Sequence, residues 1–245
     1  MREDIIIVVG LAMLSFVSGM LGLGVAFSAI PFLGLFMNDL VHQIQPLSLL
    51  LNGVTSLLSA FGFAKSGFVD WRKAITLSII TTASAPVGAY IVQFIEQQYV
   101  WGFYFLAVFY LAYRLFKPVK HTKVNENFKL ALVLAVPISI LSGFLGVGPG
   151  FLLMPTLIIL GFESKKAAGI NAFAVCPPSF SALIPHLSIA QWNMKLTILL
   201  IVVGAIFSFS GARTTSLFVP GIRVKQIFAI LILIVTAYKI TTLLN

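Results

Sequence analysis

The chain has 245 residues, of which 59% are hydrophobic and only 9% charged, against roughly 25% charged in a soluble domain. That balance excludes a soluble globular protein and predicts an α-helical protein that crosses the lipid bilayer many times. The formal charge of +9 falls in short loops, where it sets membrane orientation and argues against nucleic acid as a partner.

Apolar segments recur from end to end, divided by charge and turn residues. In residues 1–116 they cover 5–20, 25–37, 46–63, 74–94 and 100–116. A basic linker, 117–129, follows. In residues 130–245 they cover 130–144, 149–160, 167–184, 196–212 and 225–243. The N-terminus has no basic n-region and no clear small-residue cleavage site, so the first segment reads as a retained span. The two halves read as two transmembrane repeats of five segments each.

The repeat is most visible in its glycines. Ser18-Gly19-Met20-Leu21-Gly22-Leu23-Gly24 returns as Ser142-Gly143-Phe144-Leu145-Gly146-Val147-Gly148, and Pro31 returns as Pro155. Each string joins the first two segments of its half with no charge between them. The second segment is about 12 residues, or ~18 Å at ~1.5 Å per residue, too short for the ~30 Å hydrocarbon core. Glycine accepts positive φ, so the string predicts a tight reversal of the backbone. A short helix restarting after such a break carries unpaired N–H groups and a positive dipole end, which favour an anion. The competing role for these glycines is close helix packing.

The third segments supply polar side chains. Ser48, Asn52, Thr55 and Ser59 share one helical face. In the second half Asn171 stands where the first has Ser48. Polar groups at membrane depth find partners or line a cavity. The fourth segments carry small-residue seams, Thr81, Ala85 and Gly88 answering Gly204, Ser208 and Gly211, and these read as packing surfaces. Trp71 and Trp192 read as interfacial anchors.

The seven acids, Glu3, Asp4, Asp39, Asp70, Glu96, Glu126 and Glu163, all fall at termini or in loops, so the carboxylate of a common proton relay is missing from the membrane. His42, His121 and His186 read as solvated loop residues. Cys176 is the only cysteine and excludes an intrachain disulfide. No zinc spacing, serine elbow or phosphate loop is present. The sequence therefore implies no metal, no cofactor and no catalytic residue.

Charge fixes the orientation. If each glycine string closes a hairpin, only Arg2, Lys195 and Lys239 of the 16 Lys and Arg face one side, leaving thirteen on the other. If each string is one kinked crossing, the split falls to eleven against five. The positive-inside rule prefers the hairpins. It places the linker in the cytoplasm and both termini outside. Each half then crosses an odd number of times, and the two repeats are inverted.

At these motifs the chain resembles the TauE/SafE family of sulfite exporters, also called toluene-sulfonate uptake permeases. The resemblance rests on Ser18-Gly19 through Pro31, Asn52 with Thr55-Ser56, and Gly67-Phe68-Val69-Asp70-Trp71-Arg72. It continues through Ser142-Gly143 to Pro155, Lys166-Ala167-Ala168-Gly169 and Gly211-Ala212-Arg213. It implies a duplicated plasma-membrane protein that moves sulfite, sulfonates or related organosulfur anions, with Gly22, Gly24, Gly146, Gly148 and Asn52 near the transport site. The chain departs from the family at Val25-Ala26, where further glycines are common, and at Ile170-Asn171, where Thr-Ser is common.

The resulting expectation is a transporter of small sulfur oxyanions that works by alternating access. Its substrate site would comprise Gly22, Gly24, Ser48, Asn52, Thr55, Gly146, Gly148 and Asn171. A passive anion channel is the first rival. An intramembrane enzyme is the second, and the absence of a nucleophile–base pair argues against it.

Overall fold

A computed structural model describes residues 2–116 and 126–218, with isolated helical positions at 230, 233, 234, 237, 240 and 241. Residues 117–125 of the linker and most of the expected tenth segment, 225–243, lie outside the described residues. Nine α-helices are described: α1 (Arg2–Leu21), α2 (Ala26–Leu33), α3 (Gln45–Ala64), α4 (Trp71–Ile91), α5 (Gln97–Phe116), α6 (Phe128–Leu145), α7 (Gly150–Ile159), α8 (Ser164–Leu183) and α9 (Met194–Phe218). A π-turn, Leu40–Ile44, leads into α3. Among the described residues no strand occurs.

Among the described residues, six helical stretches are long and apolar enough to cross a bilayer, including Glu3–Leu21, Leu40–Ala64 and Ser164–His186. The protein is thus an all-α, multi-pass membrane protein. α2 and α7 have eight and ten residues and cannot span at ~1.5 Å per residue. The windows of α3 and α8 are 67% and 72% buried, against 33–44% for the other spans, so α3 and α8 form the centre. The outer helices present apolar side chains outward, such as Ile5, Val9 and Met13 on α1 and Ile198, Val202 and Ile206 on α9. A helix apolar on all sides suits a position between protein and lipid.

Local signals stop and start these helices. Asp70 caps α4 by accepting from the Lys73 N–H at 3.2 Å, and Asn127 caps α6 by accepting from Leu130 at 3.1 Å. Gly146, at φ 69°, ends α6 in the left-handed conformation. The Asn127 N–H then bonds the Leu160 carbonyl at 3.0 Å. The start of α6 and the end of α7 therefore meet at one end of the molecule. This pair is a hairpin, not a single kinked crossing.

The seams pack as the small residues predict. A Cβ at Gly88 would collide with the Ile140 carbonyl of α6, and one at Gly211 with the Phe16 carbonyl of α1. Conversely, Gly143 abuts the Ala85 carbonyl and Gly19 the Ser208 carbonyl. Phe16 and Ile140 are equivalent positions of the glycine-string repeat, as are Gly19 and Gly143. Each half thus lends its first helix to the fourth helix of the other. Ser15 lies against Gly204 as Gly19 does against Ser208, and Ser139 Oγ donates to the Thr81 carbonyl as Gly143 abuts that of Ala85, so α1 runs parallel to α9 and α6 parallel to α4. Phe27 and Phe151, also equivalent, stack with ring centroids 4.5 Å apart, where the short helices meet.

Candidate functional site

The glycine strings reverse the chain as expected. Gly22, Gly24, Gly146 and Gly148 all have positive φ, between 64° and 72°. Each turn leads into a short helix whose N-terminus lies in the interior. Val25, Ala26, Gly150 and Phe151 are buried there.

The side chain that joins the two turns is Asn52, fully buried on α3. Its Oδ1 accepts from the Ala26 N–H at 2.9 Å, and its Nδ2 donates to Ser179 Oγ at 2.8 Å. A Cβ at Gly24 would strike the amide oxygen of Asn52, and one at Gly148 its amide nitrogen. One amide therefore sits between both glycine turns. One helical turn further along α3, Thr55 Oγ1 accepts from the Val25 N–H at 3.2 Å. Together Asn52 and Thr55 satisfy the first donors of α2.

The α7 end differs. Pro149 offers no N–H, and the N–H groups of Leu152 and Leu153 bond the Pro149 carbonyl. The buried Gly150 and Phe151 N–H groups between them have no protein acceptor among the described residues. At the offset that relates Ser48 to Asn171, Asn52 corresponds to Val175 and Thr55 to Pro178, and neither side chain can accept. The asymmetry of the two helix ends follows from those two residues.

Asn171 lies beside this open end. Its Nδ2 donates to the Gly22 carbonyl at 2.7 Å, and a Cβ at Gly150 would sit 3.0 Å from that nitrogen. Its Oδ1 is buried without a partner, as are Ser48 Oγ and Gln45 Oε1. Such groups are costly to leave dry and unpaired. Of the eight residues expected at the site, Gly24, Asn52, Thr55 and Gly148 form one cluster, and Asn171 and Gly22 adjoin it. Gly22 packs on the Ala168 carbonyl and Gly146 on the Gln45 side chain, both in helix-packing positions. Ser48 is buried one turn before Asn52, bonded to neither turn.

Sequence reasoning missed four contributors. Ser179 follows two prolines and stands where the first half has Ser56. Gln45, at the edge of a segment, donates to the Phe144 carbonyl at 3.2 Å. Phe27 and Phe151 keep the 124-residue offset of the glycine strings, and that spacing was the signal available for them. One expectation is corrected: His186 is not solvated but fully buried, because the turn carrying it tucks under the π-turn, where the Gln191 N–H bonds the His42 carbonyl at 2.8 Å. The seven acids do sit at helix ends or in connections. Among the described residues no three His, Cys, Asp or Glu side chains group closely enough to hold a metal.

Two half-helices broken at glycines and meeting at a buried amide define a class, the polytopic membrane transporters with discontinuous helices at mid-depth. The family model described as sulfite exporter TauE/SafE matches residues 6–239, and the chain belongs to that family of membrane transporters. It is similar to the probable membrane transporter protein YdhB of Bacillus subtilis, at 22% identity over 230 residues, covering 90% of this chain and 94% of the relative. It is also similar to the probable membrane transporter protein MJ0441 of Methanocaldococcus jannaschii, at 24% identity over 195 residues, covering 75% of this chain and 72% of the relative. No solved structure matches it.

Proposed function

We propose that the chain carries a small sulfur-containing oxyanion, sulfite or an organosulfonate, across the plasma membrane by alternating access around Asn52. The observation that carries this reading is the pair of buried, acceptor-free N–H groups of Gly150 and Phe151 beside Asn171. Donors at a helix N-terminus add the helix dipole to their hydrogen bonds and favour negative charge. In this conformation Asn52 occupies the Ala26 N–H, the α2 equivalent of the Gly150 donor, so the α7 end is the more open of the two to a substrate. The free Asn171 oxygen can accept from a protonated oxyanion or from its water. No step of covalent chemistry is part of this reading.

The two halves act as inverted repeats in this proposal, with both termini outside. Supporting this, Lys165 bonds the Ser216 carbonyl at 3.2 Å and Arg213 bonds Ser66 at 2.9 Å, which gathers cations where α3 and α9 end. Lys195 lies at the start of α9, the opposite end.

The test is equilibrium binding of sulfite to the purified chain. Removing one charge-assisted hydrogen bond costs about 1.5–3 kcal/mol, or roughly tenfold or more in affinity. Asn171→Ala is expected to lose at least that, and Asn52→Ala, whose amide holds both glycine turns in place, is expected to lose about as much by releasing them. Wild-type affinity in both would overturn the site. Reconstituted vesicles should also show counterflow of labelled substrate, which a passive channel would not.

A further inference from the structure

The two glycine turns treat one pair of equivalent carbonyls differently. The Gly22 carbonyl accepts from Asn171 Nδ2 at 2.7 Å. Its repeat equivalent, the Gly146 carbonyl, has no donor among the described residues. The cause lies on α3. Where the second half has Ala168 and Asn171, the first has Gln45 and Ser48. Gly22 packs on Ala168 and Gly146 on Gln45, so the turns meet equivalent helix positions. Ser48 therefore stands toward Gly146 as Asn171 stands toward Gly22. A serine hydroxyl ends one atom short of an asparagine amide and does not close the same gap.

Two more oxygens there lack partners. Gln45 Nε2 donates to the Phe144 carbonyl at 3.2 Å, and a Cβ at Gly146 would lie 3.0 Å from Gln45 Cδ. That holds the Gln45 amide beside the turn, with Oε1 buried and unpartnered. Ser48 Oγ is also buried and unpartnered. Serine and threonine within a helix can donate back to the carbonyl four residues earlier, and Thr55, Thr81, Ser142 and Ser179 do so. Ser48 does not. Both Gln45 and Ser48 are fully buried.

Three oxygens that share a single hydroxyl proton, at the negative dipole end of α6, suit a cation. In transporters with broken helices, half-helix C-terminal ends and unwound carbonyls hold such ions. The set carries no carboxylate, so a monovalent ion suits it better than a divalent one. Cations of calcium's size, sodium among them, take oxygens at about 2.3–2.6 Å, so one ion bridges what the short serine leaves apart. We propose that Gln45 Oε1, Ser48 Oγ and the Gly146 carbonyl form a sodium site, completed by water. Gly148, two residues along the same turn, abuts the Asn52 amide, so an ion here would brace the turn that faces the centre. The site itself does not depend on what that centre binds.

The experiment is binding of radiolabelled sodium to the purified full chain in sulfite-free choline buffer, with thermal midpoints in sodium and in choline at equal ionic strength. The wild type should bind sodium saturably, and sodium should raise its midpoint by several degrees. Ser48→Ala should weaken sodium by roughly tenfold or more, the scale of losing even a supporting group at a metal site. Ser48→Asn should abolish sodium binding yet match or exceed the wild-type midpoint in choline, because its amide can donate to the Gly146 carbonyl as Asn171 does to Gly22. Ser48→Ala keeps the test decisive if Ser48→Asn does not fold. Absence of saturable sodium binding to the wild type would overturn the proposal, as would equal midpoints in sodium and choline. Unchanged sodium affinity in Ser48→Ala, or in folded Ser48→Asn, would overturn it too. Because sulfite is absent throughout, failure of the Asn52 centre to bind sulfite leaves this result standing.

Discussion

Asn52 couples two backbone turns through one short side chain, so the cost of changing it or its neighbours is specific. Gly148 and Gly67 both have positive φ, 69° and 74°. A Cβ at Gly67 meets nothing within 4 Å, whereas one at Gly148 strikes the Asn52 amide. Both alanine variants bear the left-handed strain of about 1–2 kcal/mol. Only Gly148→Ala should also lose sulfite affinity, tenfold or more, in titrations of purified, monodisperse protein. Equal affinity in the two variants would reduce the Gly148 turn to a structural role. The sequence made the glycines and Asn52 legible, because a repeated string and a buried amide stand out at any depth. It could not separate Gly24 and Gly148, which touch Asn52, from Gly22 and Gly146, which pack on Ala168 and Gln45. That distinction depends on which neighbouring helix lies opposite each turn, and no local pattern encodes it.

At the scale of helices, the seams were readable because small residues at helical spacing have one common use in membranes. Their partners were not readable, since α4 meets α6 and α9 meets α1 across the repeat boundary. Gly88 and Gly211 occupy equivalent seams against α6 and α1. Gly88→Ala and Gly211→Ala should each destabilise the fold by about 1–3 kcal/mol through overpacking, seen as a lower thermal midpoint in detergent. Sulfite affinity in the folded fraction should remain near wild type. The capping residue of α4 gives a pH-dependent case. Burial pushes the Asp70 carboxyl up, but the Lys73 N–H and ammonium outweigh it and hold the pKa below the usual value. Its stabilisation is therefore complete above the ordinary carboxylate range and is lost as pH falls through the lowered value. Asp70→Ala should cost about 0.5–2 kcal/mol at neutral pH, and the difference from wild type should close in strong acid. Sulfite binding should be unaffected, because Asp70 lies at a helix end far from Asn52 in sequence and shares no hydrogen bond with it.

For the whole molecule, the two ends differ in charge and in what joins them. Ser66 Oγ bonds Ser216 Oγ at 3.0 Å, with Lys65, Lys165 and Arg213 around the junction of α3, α8 and α9. At the other end the Gln43 amide bonds Gln191 and the Gln191 N–H bonds the His42 carbonyl, which ties the π-turn to the connection before α9. α3 and α8 run between these ends. In the proposed orientation the Lys65 end faces the cytoplasm, as the charge count predicts. A cysteine at Gln191 in a Cys176→Ser background should then label readily with an impermeant thiol reagent in intact cells. A cysteine at Lys65 should label only after the membrane is opened. Alternating access adds a further requirement: an oxyanion that holds the α7 donors in one conformation must bias which end is open. Sulfite should therefore change the labelling rate at position 191 several-fold in Gln191→Cys, and Asn52→Ala or Asn171→Ala added to that variant should remove the effect. Labelling that ignores sulfite at saturating concentration would argue for a fixed pore. Labelling of Lys65→Cys from outside would reverse the orientation and with it the direction in which the Asn52 centre is approached.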